Sequence, residues 1–344
     1  MLAFLLASGA SCEKRSHKAH PAASPARDAG PPKTPPGPVR RAADPSHPGD
    51  PGEQPPGPPP FRSTQGDCST AYAPRPKRDR FPMCKVSGGS FMMGAPDGEI
   101  GIHPRHRVQV STFYMDQLEV TNAQYLVFLN LVGTTRFCPS RKSRECIVVT
   151  DDLPELPIRR DKSGRFWVPD RLEYHPVVGV SLEGAERYCR WAGKELPTQA
   201  QWEYAAAHDP KTGHDRRYPW GDRFEPNRAN CGAPCKDGFG RTTARVGTFH
   251  GTGGHGDGQS AFGIRDLAGN VGEYVRDYYN EPYTVCQPEC VDPVEKRNPK
   301  FGDQWFFRAQ EFDSDHVETW NVSNTFGAPG DNASGFRCVF RPTE

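Results

Sequence analysis

The chain has 344 residues, with 43 basic against 42 acidic side chains and a formal charge of +1. That balance provides no overall field to gather a polyanion, and no basic block around interleaved aromatics stands out, so no nucleic-acid partner is expected. The length would hold two average domains, but the composition is uneven. Met1 to Ser11 are mostly apolar or small and lead to Cys12. This reads as the remainder of a bacterial lipoprotein signal (residues 1–12), truncated at its start, in which Cys12 is lipidated. It lacks a positive n-region, and Gly9 stands where such signals carry leucine. Residues 13–65 are crowded with proline, glycine, alanine and charge, as in Pro31-Pro32-Lys33-Thr34-Pro35-Pro36-Gly37-Pro38. Such a segment cannot bury enough apolar surface to offset its ordering entropy, and it reads as a disordered, extended linker.

From residue 66 to 344 the chain is long enough for one substantial core. Three helices show their caps. Thr121-Asn122-Ala123-Gln124 is a capping box that opens a helix with Tyr125, Phe128 and Leu129 on one face. Ser181 caps a second, where Leu182, Ala185, Cys189 and Ala192 recur at helical spacing and Gly193 ends it. Thr198-Gln199-Ala200-Gln201 is another capping box, followed by Trp202 and Ala205-Ala206. Trp191 and Trp202 are read as core. Elsewhere Gly and Pro punctuate the chain, so strands must be short and loops long. Gly251 to Gly258, with His250 and His255, reads as a surface loop.

Eleven cysteines leave an even number once Cys12 is set aside. Cys138 with Cys146, Cys231 with Cys235 and Cys286 with Cys290 are close enough for disulfides, which favours an oxidising compartment. The two four-apart pairs also admit zinc, but Cys-x₃-Cys with a proline inside is not a zinc-knuckle spacing.

Asp266-Leu267-Ala268-Gly269-Asn270-Val271-Gly272-Glu273 combines oxygen-bearing side chains with glycines that can turn carbonyls inward. That is what a hard cation needs, although a solvated turn has the same composition. In order along the chain stand Gly88-Gly89-Ser90-Phe91-Met92-Met93-Gly94, Phe113-Tyr114-Met115-Asp116, Glu119-Val120-Thr121-Asn122, Gly193-Lys194-Glu195-Leu196-Pro197-Thr198, Trp202-Glu203-Tyr204, Tyr218-Pro219-Trp220-Gly221-Asp222, Gly269-Asn270-Val271 and Gly335-Phe336-Arg337-Cys338. Taken together, they resemble the formylglycine-generating enzyme family, also called the sulfatase-modifying factor domain. The resemblance implies an α+β fold related to C-type lectins, with little regular secondary structure. It also implies a disulfide between Cys189 and Cys338 and two calcium sites. The first site would use side chains of Asn230 and Asp237 with carbonyls of Cys231 and Phe239. The second would use side chains of Asp266 and Glu273 with carbonyls of Gly269 and Val271.

The family's enzymes also carry two cysteines, five residues apart, that bind copper(I) and exchange with the substrate thiol. The matching string here is Arg308-Ala309-Gln310-Glu311-Phe312, and the cysteine positions fall near Ser314 and Thr319. No cysteine lies between Cys290 and Cys338. Hydroxyls do not replace thiolates on copper(I) or in a mixed disulfide, so copper is not expected. Gly272, where the family usually has tryptophan, is a further departure. Glu311, Asp313, Asp315, His316 and Glu318 fill the same region. Asp313, Asp315 and His316 are candidates for an alternative iron-type centre. A solvated loop is the plainer reading, and a ligand-binding floor with Trp305, Arg308 and Trp320 is a third. The expectation is an exported, membrane-anchored lipoprotein of a bacterial envelope. Its folded part would be a calcium-stabilised binding or accessory domain, with an unknown protein or small molecule in its cleft and membrane contact through Cys12 alone. The alternative is an oxidase, acting on cysteine or another substrate through a different centre.

Overall fold

The computed structural model describes residues 66–75, 78–79, 81–96, 105–132, 156–232, 235, 242–278, 290–296, 305–308, 312–325 and 333–342. All of these belong to the unit Gln54–Glu344; the unit Met1–Glu53 lies outside them, as do Cys12, Cys138, Cys146, Cys286, Asp237, Phe239 and Glu311.

Among the described residues, short strands and three α-helices give an α+β architecture. β1 (Asp67–Ser69), β2 (Met83–Val86), β5 (Phe113–Asp116) and β12 (Val339–Phe340) form one antiparallel sheet in that spatial order. β3 (Gly89–Met93) and β4 (His106–Val110) make a ribbon, and β6 (Arg159–Arg160) and β7 (Phe166–Trp167) a short hairpin. β8 (Gly272–Tyr278) is central in the second four-stranded sheet. It lies between β9 (Trp305–Arg308), antiparallel to it, and β11 (Ser334–Gly335), parallel to it; β10 (Ser323–Thr325) pairs on the far side of β9.

The caps do what their residue types require. Thr121 Oγ1 accepts from the Gln124 amide at 3.3 Å while Gln124 Oε1 accepts from the Thr121 amide at 2.8 Å, opening α1 (Asn122–Val132). Ser181 Oγ accepts from Gly184 at 3.0 Å ahead of α2 (Leu182–Trp191), and Gly193 follows it at φ +79°. Thr198 and Gln201 make the reciprocal box of α3 (Gln199–Ala207). All nine residues of α3 are buried. A helix covered on every side belongs in the middle of a core, and its polar members must therefore find partners.

Of the five apolar clusters among the described residues, two hold most of the core. One packs α3 with Val86, Phe91, Phe113 and Ile264; the other packs α1 against α2 through Tyr125, Phe128, Tyr188 and Phe336. Trp202 is core as expected, but Trp191 is only half so: its ring packs on Phe128 and Tyr188 while its outer face meets the Arg78 guanidinium at 5.7 Å. Cys189 is bonded to Cys338, tying α2 to the segment before β12. Cys231 is bonded to Cys235 and Cys68 to Cys84, the latter a pair that face each other in the β1–β2 register.

Beside the Cys189–Cys338 link lies a buried ion cluster. Lys194 Nζ is 2.7 Å from Asp79 Oδ2 and 2.6 Å from Asp116 Oδ1, with all three side chains nearly inaccessible. Asp116 Oδ2 in turn accepts from the Cys338 amide at 2.9 Å. Burial alone would push the Lys194 ammonium down; the two carboxylates outweigh it, and the net direction is up.

Candidate functional site

The two oxygen-bearing loops meet in the interior. Asn230 and Gly269 form a parallel bridge, and the Asn270 amide donates to the Asn230 carbonyl at 2.8 Å. A Cβ on Gly269 would collide with that carbonyl, and its φ of +71° favours glycine as well. The glycine therefore sets the contact between the loops. Asn230 Nδ2 donates to the Thr242 carbonyl at 3.0 Å and to Asn270 Oδ1 at 3.1 Å, which leaves Asn230 Oδ1 buried without a donor. Asn270 Nδ2 donates to Glu119 Oε2 at 2.7 Å, and Glu119 Oε1 is likewise buried without a donor.

Asp266 sits at φ +57° and accepts from the Gly247 amide at 2.6 Å. Glu273 accepts from Arg337 at 2.7–3.0 Å and from Trp202 Nε1 at 2.9 Å. Glu119, Asp266 and Glu273 are thus three buried carboxylates, and all three act on the Arg337 guanidinium. Burial pushes Glu119 well above its usual range, and the Asp266 and Glu273 charges push the same way. Burial also raises Asp266. The two unpartnered oxygens therefore stand beside a local excess of negative charge, which a bound cation would offset.

An all-oxygen donor set of side chains and carbonyls fits a hard cation such as calcium. Of the first expected site, Asn230 bridges Gly269 and Cys231 follows it, while Asp237 and Phe239 lie outside the described residues; of the second, the Asp266 carbonyl and the Glu273 carboxylate both accept from Arg337. Glu273 is the awkward member, because both its oxygens are already engaged. Among the described residues no three His, Cys, Asp or Glu side chains converge on a metal position, so a cation here would depend on amide and carbonyl oxygens as well. Glu119 and Asn270 were missed from the sequence, although both lie inside motif strings.

The cleft region is different. Thr319 is buried, with its hydroxyl donating to the Arg216 carbonyl at 2.9 Å and its amide to the Arg217 carbonyl at 2.9 Å. Ser314 Oγ lies 3.2 Å from both the amide and the carbonyl of His316. Asp313, Asp315 and His316 are exposed along one loop and do not gather. His316 Nδ1 is 4.0 Å from Glu318, which Arg217 holds at 3.1 Å. Arg308 is not a cleft floor: it is fully buried. Its guanidinium donates to Glu203 at 2.8 Å, to Gln199 and to the Thr319 carbonyl, an arrangement that supplies the partners the buried α3 demands. Trp320 is half-buried under the Arg217 guanidinium at 5.3 Å, which also covers Tyr218.

A family model described as "Sulfatase-modifying factor enzyme 1-like domain" matches residues 69–342. The chain belongs to that family. Relatives of this sulfatase-modifying factor domain include "Inactive C-alpha-formylglycine-generating enzyme 2" of Bos taurus. It is 30% identical over 292 residues, covering 75% of this chain and 87% of the relative. "Serine/threonine-protein kinase pkn1" of Chlamydia pneumoniae is 31% identical over 229 residues, covering 67% of this chain; the match spans only 32% of that protein's length. The fold is similar to the structure of PvdO from Pseudomonas aeruginosa. The TM-score is 0.56 at 20% identity, covering 81% of this chain and 99% of that one.

Proposed function

We propose that this sulfatase-modifying factor domain is a calcium-stabilised binding or accessory domain, exported and held at a membrane by lipidated Cys12, without the family's copper centre. The observation that carries this reading is Thr319. Near the second of the two expected cysteine positions, the buried Thr319 hydroxyl is committed to a backbone carbonyl, and Ser314 stands near the first. Neither supplies a soft ligand or an exchangeable thiolate. The relative named as inactive is in keeping with an accessory role. The purified protein is expected neither to hold copper(I) tightly nor to convert a Cys-x-Pro-x-Arg peptide to its aldehyde. Mass spectrometry of the peptide, after incubation with copper-loaded protein and oxygen, checks this. Aldehyde above a no-enzyme control overturns the reading in favour of an oxidase.

Calcium is supported by the two orphaned oxygens, Asn230 Oδ1 and Glu119 Oε1. A ligand that binds only the native state stabilises it by mass action. At free calcium about a hundredfold over its dissociation constant, chelation should lower the unfolding temperature by roughly 5–8 °C. Asp266→Ala should shrink that difference. Equal melting curves with and without chelator remove the calcium reading.

A further inference from the structure

One end of the domain carries an unusual pairing of exposed apolar and basic side chains. Asn130, in the last turn of α1, accepts from the Phe166 amide and donates to the Phe166 carbonyl, both at 3.0 Å. The next residue on each element is large, apolar and outward: Leu131 is 58% and Trp167 47% exposed. With Val291 they are the exposed large hydrophobics among the described residues.

Around the indole the hairpin is cationic. Arg159 is the register partner of Trp167, and Lys162 and Arg165 are exposed in and after the turn; Arg160 pairs instead with Phe166, lies over its ring at 5.4 Å and donates to the Gly164 carbonyl at 3.3 Å. The sequence reading passed over this stretch because a net charge of +1 dilutes it. Its acid, Asp161, is turned back into the hairpin. Its Oδ1 accepts from the Ser163 hydroxyl at 2.6 Å and from the Ser163 and Arg165 amides at 2.9 and 3.0 Å. Nearby, a groove of about 510 Å³ is lined by Leu131, Val132 and Trp191 together with Arg78, Arg187 and Arg190. Of these arginines, Arg187 is paired with Glu183, and Arg78 lies over the Trp191 ring and donates to the Trp191 carbonyl at 2.8 Å.

We propose that this end, the β6–β7 hairpin with the last turn of α1, docks on an anionic lipid surface. An indole with its apolar body outward and guanidinium and ammonium groups beside it matches the boundary between headgroups and acyl chains. Leu131 adds a second apolar contact. The chemistry favours lipid over an acidic protein because the basic groups surround isolated apolar side chains rather than a formed polar pocket. Two-point attachment follows, since a tether raises the effective concentration of a weak contact. The proposal rests on the Cys12-anchored reading for that tether alone.

The test uses the full chain carrying Cys12→Ala, so that no lipid can be attached, sedimented with phosphatidylcholine vesicles with and without phosphatidylglycerol. Binding is expected only with the anionic lipid and is weakened by salt. Each basic side chain near such a surface is worth about fivefold, so Lys162→Ser/Arg165→Ser together should lower affinity about 25-fold. Trp167→Ala should lower it about tenfold. Lys211→Ser/Arg223→Ser, at exposed basic positions outside this surface, should not change it. Unfolding curves matching the parent show that the variants are folded. Equal binding to neutral vesicles, no binding to anionic ones, or preferential capture by single-stranded DNA in competition would each overturn the proposal. Lipidation of Cys12 is scored separately, from the mass of the exported chain's first peptide, so either reading can fail without the other.

Discussion

Replacing Lys194 with methionine is expected to lower the unfolding free energy by roughly 3–5 kcal/mol, because it leaves Asp79 and Asp116 as uncompensated buried charges. The lysine is 2.7 and 2.6 Å from the two carboxylates, and no water reaches the group. Adding Asp79→Asn and Asp116→Asn to Lys194→Met should recover much of the loss, since an uncharged cluster needs no counter-ion. Urea unfolding of the three proteins measures both steps. A loss below about 1 kcal/mol for Lys194→Met would place the cluster with ordinary surface pairs. The pH dependence has a definite sign. A group whose folded pKa lies above its unfolded value stabilises the fold fully below the unfolded value, 10.5 for lysine, and loses that contribution as pH rises through the folded one. The stability difference between the parent and Lys194→Met should therefore shrink above that pH.

Breaking the Cys189–Cys338 link should cost the most of the three described disulfides with known partners. Their sequence separations are 149, 16 and 4 for Cys189–Cys338, Cys68–Cys84 and Cys231–Cys235. Loop-closure entropy then gives contributions of about 5, 3 and 2 kcal/mol through the unfolded state. Paired Cys→Ala variants, compared by denaturant midpoint with unchanged slope, test the order. If the four-residue loop proves as costly as the longest one, loop entropy is not what these links supply. The Cys231–Cys235 loop would then act by holding the Asn230 backbone against Gly269.

The helices were legible because capping is local: Thr121 with Gln124, Ser181 with Gly184 and Thr198 with Gln201 each lie within one turn. The family followed from motif strings in order. What could not be read was anything set by partners far apart in the chain. Cys68 and Cys84 meet only because β1 and β2 pair in that register, and no spacing rule announces it. Arg308 looked like a cleft residue because a charge is normally exposed; its partners Gln199 and Glu203 lie more than a hundred positions earlier. Of the carboxylates in the candidate cation site, Asp266 and Glu273 were visible because they share one loop. Glu119, whose partner Asn270 is 151 positions away, was not. The basic hairpin was hidden by averaging charge over the whole chain.

The pairing of β12 with β5 has a consequence for how the protein folds. Cys338 reaches back 222 positions to the Asp116 carboxylate, and Val339 to Met115. The last strand of the first sheet, the longest disulfide and one backbone donor to Asp116 all come from the same few residues around Cys338. Closing so distant a contact gains nothing until both partners exist, so these links carry a large loop-closure cost. The first sheet therefore gains its last strand, and α2 its covalent tie, through the same short Cys338 segment.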